Sequence, residues 1–382
     1  MKKIVVACDS FKGSLSSREV ADAVEQGIVA VLPDCKVKKV SIADGGEGTV
    51  EAMVDNLSGE WVEIEVCDPL MRPIKARYGV VDGGETAVME MSAASGLPLL
   101  SEAERNPLKT TTYGTGQMIA DAIGRGCRRI LMGIGGSATN DAGVGMLMAL
   151  GFRFFDKAGE LLSGGGEVLQ RIDRIDSSEV LPQLSECEFV VACDVKNPLY
   201  GESGAAYVFA PQKGADKAMV EQLDEGLRNF ARVVENYRGE DLASWAGAGA
   251  AGGLGFGFLA LLGAELRAGI DMVLDAIRFS SIIEGSDLVI TGEGKIDSQT
   301  VMGKAPSGVL KAASRQAIPT VAIGGAVEMC EELAESDFVA ILPIVAGPIS
   351  LQEAMRKDVA HKNIRRTVEQ MIRLLNLKLN RC

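Results

Sequence analysis

Both ends of the sequence show the same order of predicted elements, in which an apolar strand-like run is followed by a Gly-rich loop and a helical pattern. Residues 3–8 form the first such run, and Ser16 with Glu19 marks the start of the helix as a capping-box pair. Near the C-terminus, a strand pattern at 287–291 and a loop at 292–300 repeat this order. Parallel strands joined by helices produce such a rhythm, so the two chain ends predict a doubly wound α/β domain.

The middle of the chain departs from this rhythm near residue 60. Apolar and acidic residues alternate through 62–66, and further short strands are predicted at 75–81 and 86–92. Alternation with a period of two indicates an antiparallel or mixed sheet. The length of 382 residues also fits two domains better than one.

Together these patterns predict an α/β fold of two domains. Residues 1–60 and 285–382 would form a discontinuous Rossmann-like domain with a doubly wound parallel sheet, and 61–284 an inserted α/β domain with a mixed sheet. A cleft between two such domains is a natural ligand site. Gly-rich connections near 247–257 and 285 would allow hinge closure.

Charge and hydropathy exclude several classes of partner. The net charge is −13, with 39 Lys and Arg against 52 Asp and Glu, and no basic run stands out, so nucleic acid is not an expected partner. The longest apolar stretch, 254–264, is too short to cross a membrane, and the N-terminus lacks the features of a signal peptide. We therefore expect a cytoplasmic protein whose partners are small molecules. The sequence does not specify an oligomeric state.

The residue inventory restricts the chemistry further. The eight cysteines form no C-x-x-C pair and His361 is the only histidine, which argues against a zinc site and against Ser-His or Cys-His catalysis. No G-x-x-x-x-G-K-[ST] pattern occurs, so a P-loop is also excluded. Carboxylates, lysines and backbone amides remain as the reactive groups.

Glycine is abundant, at 45 residues, and clusters where predicted strands lead into helices. Five loops carry the excess: 9–14, 44–49, 133–141, 246–257 and 292–297. Glycine allows backbone N–H groups to approach a ligand, although such loops also occur as ordinary turns. The first, second and last also contain carboxylates or lysines, which suit Mg²⁺ and a transferring phosphate.

One of these loops imitates a dinucleotide fingerprint. Gly133-x-Gly135-x-x-Ala138 follows a predicted strand, and Asp156 lies about 20 residues further on. Polar residues occupy the predicted start of the helix, however, and Asp141 would face a pyrophosphate unfavourably. An NAD-dependent hydroxy-acid dehydrogenase and a non-catalytic sugar-acid sensor thus remain as alternatives, although the sensor lacks an output module.

Asp194 is a candidate general base because it follows the predicted strand 189–193. It also precedes the turn 195–198, so its carboxylate could equally organise that turn through backbone hydrogen bonds.

Four of these segments resemble those of the bacterial type-1 glycerate kinases, in the same order and nearly from end to end. They are VACDSFKGS (6–14), ADGGEGT (43–49), GGSATNDAG (135–143) and TGEGKID (291–297). The resemblance implies ATP-dependent phosphorylation of D-glycerate to 2-phosphoglycerate, in the breakdown of glyoxylate or sugar acids. It also implies a Rossmann-like domain built from both chain ends, with an inserted α/β domain.

Within this resemblance we assign nucleotide and metal ligands by residue. The nucleotide phosphates would meet Gly135, Gly136, Ser137, Thr139 and Asn140. Mg²⁺ would be held, directly or through water, by Asp44, Glu47 and Asp297.

The remaining assignments concern the substrate and the transferring group. Asp9 and Ser10 would bind the substrate, while Lys12 and Lys295 would neutralise the γ-phosphate or the glycerate carboxylate. Asp194 would orient or deprotonate the attacking hydroxyl.

Overall fold

The computed structural model describes residues 1–46 and 48–379. Its strands, in chain order, are β1 (Lys3–Cys8), β2 (Lys36–Ser41), β3 (Glu60–Cys67), β4 (Pro73–Val81), β5 (Thr86–Glu90), β6 (Arg129–Gly133), β7 (Arg153–Phe155), β8 (Arg174–Asp176), β9 (Glu188–Ala192), β10 (Glu265–Arg267), β11 (Leu288–Ile296), β12 (Thr320–Val327) and β13 (Ala340–Pro343).

The α-helices follow the same numbering. They are α1 (Ser17–Val29), α2 (Thr49–Leu57), α3 (Ser92–Ser95), α4 (Tyr113–Gly124), α5 (Val144–Ala149), α6 (Ala205–Phe209), α7 (Lys217–Arg238), α8 (Ala250–Leu262), α9 (Gly269–Ala276), α10 (Phe279–Ile283), α11 (Ser298–Val301), α12 (Ala305–Ser314), α13 (Glu331–Ala334), α14 (Leu351–Ala354) and α15 (Lys357–Leu379). No helix in the described part of the chain is long and apolar enough to cross a membrane.

The chain folds as two compact units. The first contains residues 1–44 and the described residues from 270 onward, and the second contains 45–269. These limits differ from the predicted ones because α2 packs on β4, where Gly79 leaves room for Val54. At the other limit, Ile270 packs against Gly308 of α12, so the segment after it belongs to the first unit.

The first unit contains a parallel sheet with the strand order β13-β12-β11-β1-β2 over the described residues. Ile4 and Val6 of β1 pack with α1 and α15, whereas the alternate residue Val5 points away from that cluster and is also fully buried. Burial of both strand faces requires a continuous apolar run, which β1 has. The predicted parallel-sheet domain is therefore confirmed.

Local signals at the start of α1 act as predicted. Ser16 Oγ accepts a hydrogen bond from the Glu19 N–H at 3.2 Å, and Glu19 Oε2 accepts one from the Ser16 N–H at 2.8 Å. This reciprocal pair satisfies two donors that the first helical turn leaves open.

The segment predicted as a loop at 292–300 is largely strand. β11 continues to Ile296 and stays paired with β12, with Lys295 opposite Ala326. A Cβ on Gly292 would lie 2.3 Å from the Ile323 carbonyl oxygen, so glycine here serves close strand packing and not a turn. The prediction of a loop was wrong because strand pairing over a long sequence distance overrides local glycine content.

The second unit contains a six-stranded mixed sheet with the order β10-β9-β6-β5-β4-β3 over the described residues. β3, β4 and β5 pair antiparallel, whereas β5, β6, β9 and β10 are parallel neighbours. Its core contains a chain of edge-on ring contacts from Phe154 through Phe230 to Phe256. The predicted inserted α/β domain with a mixed sheet is therefore confirmed.

Candidate active site

A pocket of about 390 Å³ lies at the carboxyl ends of the parallel strands in the first unit. Each strand brings a residue to it: Asp44 after β2, Asp9 after β1, Glu293 on β11, Gly325 on β12 and Ile344 after β13. Open α/β sheets bind ligands at this edge, because the loops that leave the strands there are free to vary. The sequence assigned Asp9, Ser10, Lys12, Asp44 and Lys295 to the site, and the structure brings all five into the pocket wall.

The acidic side of the pocket holds carboxylates that are buried close to one another. Asp9 is 5% exposed, and burial together with the nearby charge of Asp44 raises the pKa of its carboxyl group to about 7. Burial likewise raises the pKa of Glu293, whose Oε1 accepts a hydrogen bond from Thr300 Oγ1 at 2.6 Å. Clustered carboxylates of this kind favour a cationic ligand, which would lower both pKa values again.

Three lysines line the pocket together with these carboxylates. Lys12 is exposed at the pocket and its charge opposes the rise in the pKa of Asp9. Lys304, which the sequence did not single out, has its Nζ 3.8 Å from Glu293 Oε2. Lys295 Nζ lies 3.1 Å from Asp297 and 2.9 Å from Glu328. The pocket thus offers both carboxylates for a cation and ammonium groups for an anion.

Asp297 and Glu47 are the two other proposed metal ligands. Asp297 caps α11, where its Oδ1 accepts a hydrogen bond from the Gln299 N–H at 3.0 Å, and its ion pair with Lys295 lowers the pKa of its carboxyl group. Glu47 lies outside the described residues. Over 1–46 and 48–379, no group of three or more His, Cys, Asp or Glu side chains is arranged to hold a metal ion.

The opposite side of the pocket is apolar. It consists of Ile344, Val345, Leu351, Ala354 and Met355, which lie after β13 and around α14. Sequence reasoning missed this wall, because its residues come from the segment after β13 and from α14, and only the tertiary fold brings both to the pocket.

The loop after β6 carries the residues assigned to the nucleotide phosphates, and it lies in the second unit. Gly135 and Gly136 are exposed, whereas Ser137, Thr139 and Asn140 are buried. Within the described chain, Thr139 Oγ1 and both polar side-chain atoms of Asn140 have no hydrogen-bond partner. The backbone of the two glycines is therefore the part of this loop that is open to a ligand.

Lys213 supports the loop from inside the unit. It is 1% exposed, and its Nζ donates hydrogen bonds to Ser137 Oγ at 2.7 Å and to the Thr139 carbonyl oxygen at 2.6 Å. Burial lowers the pKa of this amine to about 7, against the opposing effect of Asp141. A lysine that follows Pro211 and Gln212 in a surface-like sequence gives no signal of burial, so sequence reasoning missed it.

Asp141 fixes the other end of the loop. Its Oδ2 accepts hydrogen bonds from the Thr112 N–H at 2.8 Å and from Thr112 Oγ1 at 2.9 Å, and the Gly143 and Gly145 N–H groups donate to its carboxylate at 3.2 Å each. These contacts tie the loop to the starts of α4 and α5. The carboxylate points inward and is fully buried, which raises its pKa.

The dinucleotide interpretation of this loop is not supported. In that motif the glycine turn leads directly into a helix whose N-terminus meets the pyrophosphate. Here β6 ends at Gly133 and α5 begins only at Val144, with the buried polar segment between them.

The glycine run at 246–257 packs beneath the same loop. Gly252 has φ +71°, and a Cβ on it would lie 2.1 Å from the Thr139 carbonyl oxygen. The Gly252 carbonyl in turn accepts a hydrogen bond from the Ala142 N–H at 3.0 Å. Close backbone packing therefore accounts for the glycine at this position.

Asp194 follows β9, as predicted. Its Oδ1 accepts a hydrogen bond from the Gly269 N–H at 2.9 Å, within the same unit. This bond ties Asp194 to the start of α9 and not to the turn at 195–198, so the turn-organising and the catalytic interpretations of Asp194 both stay predictions.

Comparison with known proteins agrees with these features. The model of the glycerate kinase family matches residues 4–376. The chain is 47% identical to a glycerate kinase of Bacillus subtilis over 353 residues, 92% of each chain. It is 46% identical to a glycerate 2-kinase of Escherichia coli over 323 residues, 85% of each chain. A crystal structure assigned to glycerate kinase 2 of Salmonella typhimurium superposes with a TM-score of 0.91 at 44% identity, covering 99% of both chains.

Proposed function

The chain belongs to the glycerate kinase family, and on that premise we propose that it transfers the γ-phosphoryl group of ATP to D-glycerate, giving 2-phosphoglycerate and ADP in the cytoplasm. The observation that carries the proposal is the pocket in the first unit, where carboxylates and lysines converge at the carboxyl edge of a parallel sheet. Phosphoryl transfer needs alignment and charge neutralisation more than covalent catalysis, and this pocket offers the groups for both.

The lysines would act on the anionic groups of the reactants. Lys12 and Lys295, as the sequence suggested, would neutralise the γ-phosphate or the glycerate carboxylate, and Lys304 joins them because it lines the same pocket. Asp297 would orient Lys295 through their ion pair. Ser10 would bind the substrate beside these cations.

The carboxylates would hold Mg²⁺, which in a kinase site neutralises charge on the phosphate oxygens. Oxygen ligands suit this ion, and it commonly uses one or two carboxylates together with substrate phosphates. Asp9 and Asp44 fit that donor set, because both line the pocket and a cation between them would relieve the repulsion of their negative charges. Glu47 stays a proposed ligand on the sequence alone.

The remaining assignments fall in the second unit and stay proposals made from the sequence. The exposed backbone of Gly135 and Gly136 would donate hydrogen bonds to phosphate oxygens, and the buried Ser137, Thr139 and Asn140 would support that backbone from below. Asp194 would orient or deprotonate the attacking hydroxyl.

A coupled assay of ADP release tests the reaction. With ATP and Mg²⁺, we expect turnover with D-glycerate and much slower turnover with L-glycerate, D-lactate and glycolate. The absence of ADP release with D-glycerate would contradict the proposal. An absorbance change with NAD and a hydroxy acid, in the absence of ATP, would revive the dehydrogenase alternative.

Titration with Mg²⁺ in the same assay tests the proposed ligands. The Asp44→Asn variant should need a higher Mg²⁺ concentration for half-maximal rate, because it loses an anionic oxygen ligand. Asp34→Asn is the matched control, since Asp34 is exposed on a loop of the same unit and does not line the pocket. Identical Mg²⁺ curves for the wild type and both variants would remove Asp44 from the ligand set.

A further inference from the structure

The pocket of the first unit changes character across the sheet. Ile344 and Val345 of the apolar wall follow the edge strand β13, whereas Met355 reaches the loop after β1, where its Cε lies 2.7 Å from the Cβ position of Gly13. Two strands further along the sheet, β11 carries Glu293 and Lys295. Asp9 and Lys12 follow β1, and Asp44 follows β2 at the far edge. The pocket thus has an apolar side, formed by the segment after β13 and by α14, and a charged side, formed at the ends of β11, β1 and β2.

The width of the pocket can be judged from the sheet, because every strand brings a residue to it. Neighbouring strands are about 4.8 Å apart, so the three spacings from β13 to β1 amount to about 14 Å. A nucleoside triphosphate in extended form covers a comparable span from its base to its last phosphate. Glycerate, with three carbon atoms, fills only a small part of it.

The chemistry of the two sides of the pocket also distinguishes ATP from glycerate. Each carbon of glycerate carries oxygen, so that molecule has no apolar face to bury. A purine base has two, and burial of apolar surface contributes about 25 cal/mol per Å². The wall of Ile344, Val345, Leu351, Ala354 and Met355 is therefore complementary to a base and not to a hydroxy acid.

The floor between the two ends is made of backbone. Gly294 and Gly325 both line the pocket, and a Cβ on Gly325 would lie 2.6 Å from the Gly294 carbonyl oxygen. A Cβ on Gly294 would project to within 3.5 Å of Phe11 Cα. With glycine at both positions, neither residue adds a side chain to this part of the lining, which leaves room for a ribose and phosphates.

We propose that this pocket is the nucleotide site, with the adenine base against the apolar wall around α14 and the phosphates directed across the glycine floor toward Lys304 and Lys12. The inference rests on the proposed kinase function and deepens it. It adds a place for the base, whereas sequence reasoning assigned only the nucleotide phosphates, to the loop at Gly135. The ligand that fits this site has an aromatic base at one end and a polyphosphate at the other.

Binding of ADP carrying a fluorescent N-methylanthraniloyl group on the ribose tests the site without turnover. Leu351 is 76% exposed, so Leu351→Ser removes apolar surface from the wall without disturbing the core, and Ala354→Trp fills the space of the base. Leu374→Ser is the matched control, because Leu374 is 67% exposed on α15 and does not line this pocket. Thermal unfolding of each variant verifies that it folds.

We expect the dissociation constant of the probe to rise about threefold or more in Leu351→Ser and about tenfold or more in Ala354→Trp. The control should match the wild type, and the KM for D-glycerate should change by less than about twofold in all three variants. Unchanged probe affinity in both pocket variants, or a rise in the KM for D-glycerate alone, would overturn the site.

These outcomes are distinct from failure of the proposed function. A wild-type chain that binds the probe with this variant pattern but releases no ADP with D-glycerate would refute the function and leave the nucleotide site standing. A wild type that phosphorylates D-glycerate while both pocket variants keep full probe affinity would refute the site alone.

Discussion

Replacement of Lys213 by Met tests how the loop at 133–143 is held. The wild-type amine donates to Ser137 Oγ and to the Thr139 carbonyl from a fully buried position, and its pKa is lowered to about 7. In the unfolded chain the same amine has a pKa near 10.4. Met keeps the length and most of the volume of the side chain but cannot titrate.

The sign of the pH effect follows from proton binding. Between the folded and the unfolded pKa, the unfolded chain binds more protons at Lys213 than the folded chain does, so folding stability rises with pH through that window. Integrated from pH 7 to pH 9, this group adds about 2 kcal/mol to the free energy of unfolding. The Met variant lacks that contribution, although at any one pH it also leaves two buried oxygen atoms without their donor, at about 1–3 kcal/mol each.

Urea unfolding followed by tryptophan fluorescence measures the stability of the compact unit to which Lys213 belongs. The two tryptophans of the chain, Trp61 and Trp245, both lie in the unit that contains Lys213. The stability of the wild type relative to Lys213→Met should increase by about 2 kcal/mol from pH 7 to pH 9, while titration of all other groups cancels in the difference. An equal difference at the two pH values would show that Lys213 is not a buried amine with a lowered pKa.

Three further substitutions probe the proposed site and its support. Lys12→Met should lower kcat about 10²-fold or more if the Lys12 ammonium group faces the transferring phosphate. The control is Lys36→Met, which should keep the wild-type kcat because Lys36 is exposed at the start of β2. Equal kcat values for both variants would exclude Lys12 from the site. Asp194→Asn should keep the urea midpoint, because an amide oxygen can still accept the hydrogen bond from the Gly269 N–H, and it should lower kcat about 10²–10⁴-fold. Near wild-type turnover would leave Asp194 with a structural role alone. Gly252→Ala should lower the free energy of unfolding of the second unit by about 1–3 kcal/mol more than Gly263→Ala does. Both glycines have a positive φ, but only at Gly252 would the new Cβ lie 2.1 Å from a backbone oxygen. Equal urea midpoints for the two variants would argue against this collision.

Sequence reasoning succeeded where the determining interactions are local. β1 spans the predicted residues 3–8, and the capping box of Ser16 and Glu19 forms as expected, because apolar runs and caps act within a few residues. The mixed sheet was likewise predictable, since the alternation at 62–66 reports which strand face is buried. Convergence of Asp9, Lys12 and Asp44 followed from the rule that loops at the carboxyl ends of parallel strands meet.

Reasoning from sequence failed where contacts distant in the chain decide. β11 extends through glycines because β12 pairs with it, and Lys213 is buried because a loop more than seventy residues earlier needs its hydrogen bonds. The apolar wall joins residues after β13 with α14, and only the tertiary fold brings them to one pocket. Burial of Ser137, Thr139 and Asn140 was equally unforeseeable, since hydroxyl and amide side chains in a Gly-rich loop are typical of exposed turns.

The position of the new phosphate ester tests the central claim most directly. The chain would be incubated with ATP, Mg²⁺ and D-glycerate, and the product examined by ¹H–³¹P correlation NMR. Transfer to the secondary hydroxyl predicts a phosphorus signal coupled to the single proton on C2. Coupling to the two protons on C3, or no phosphorylated product, would contradict the account.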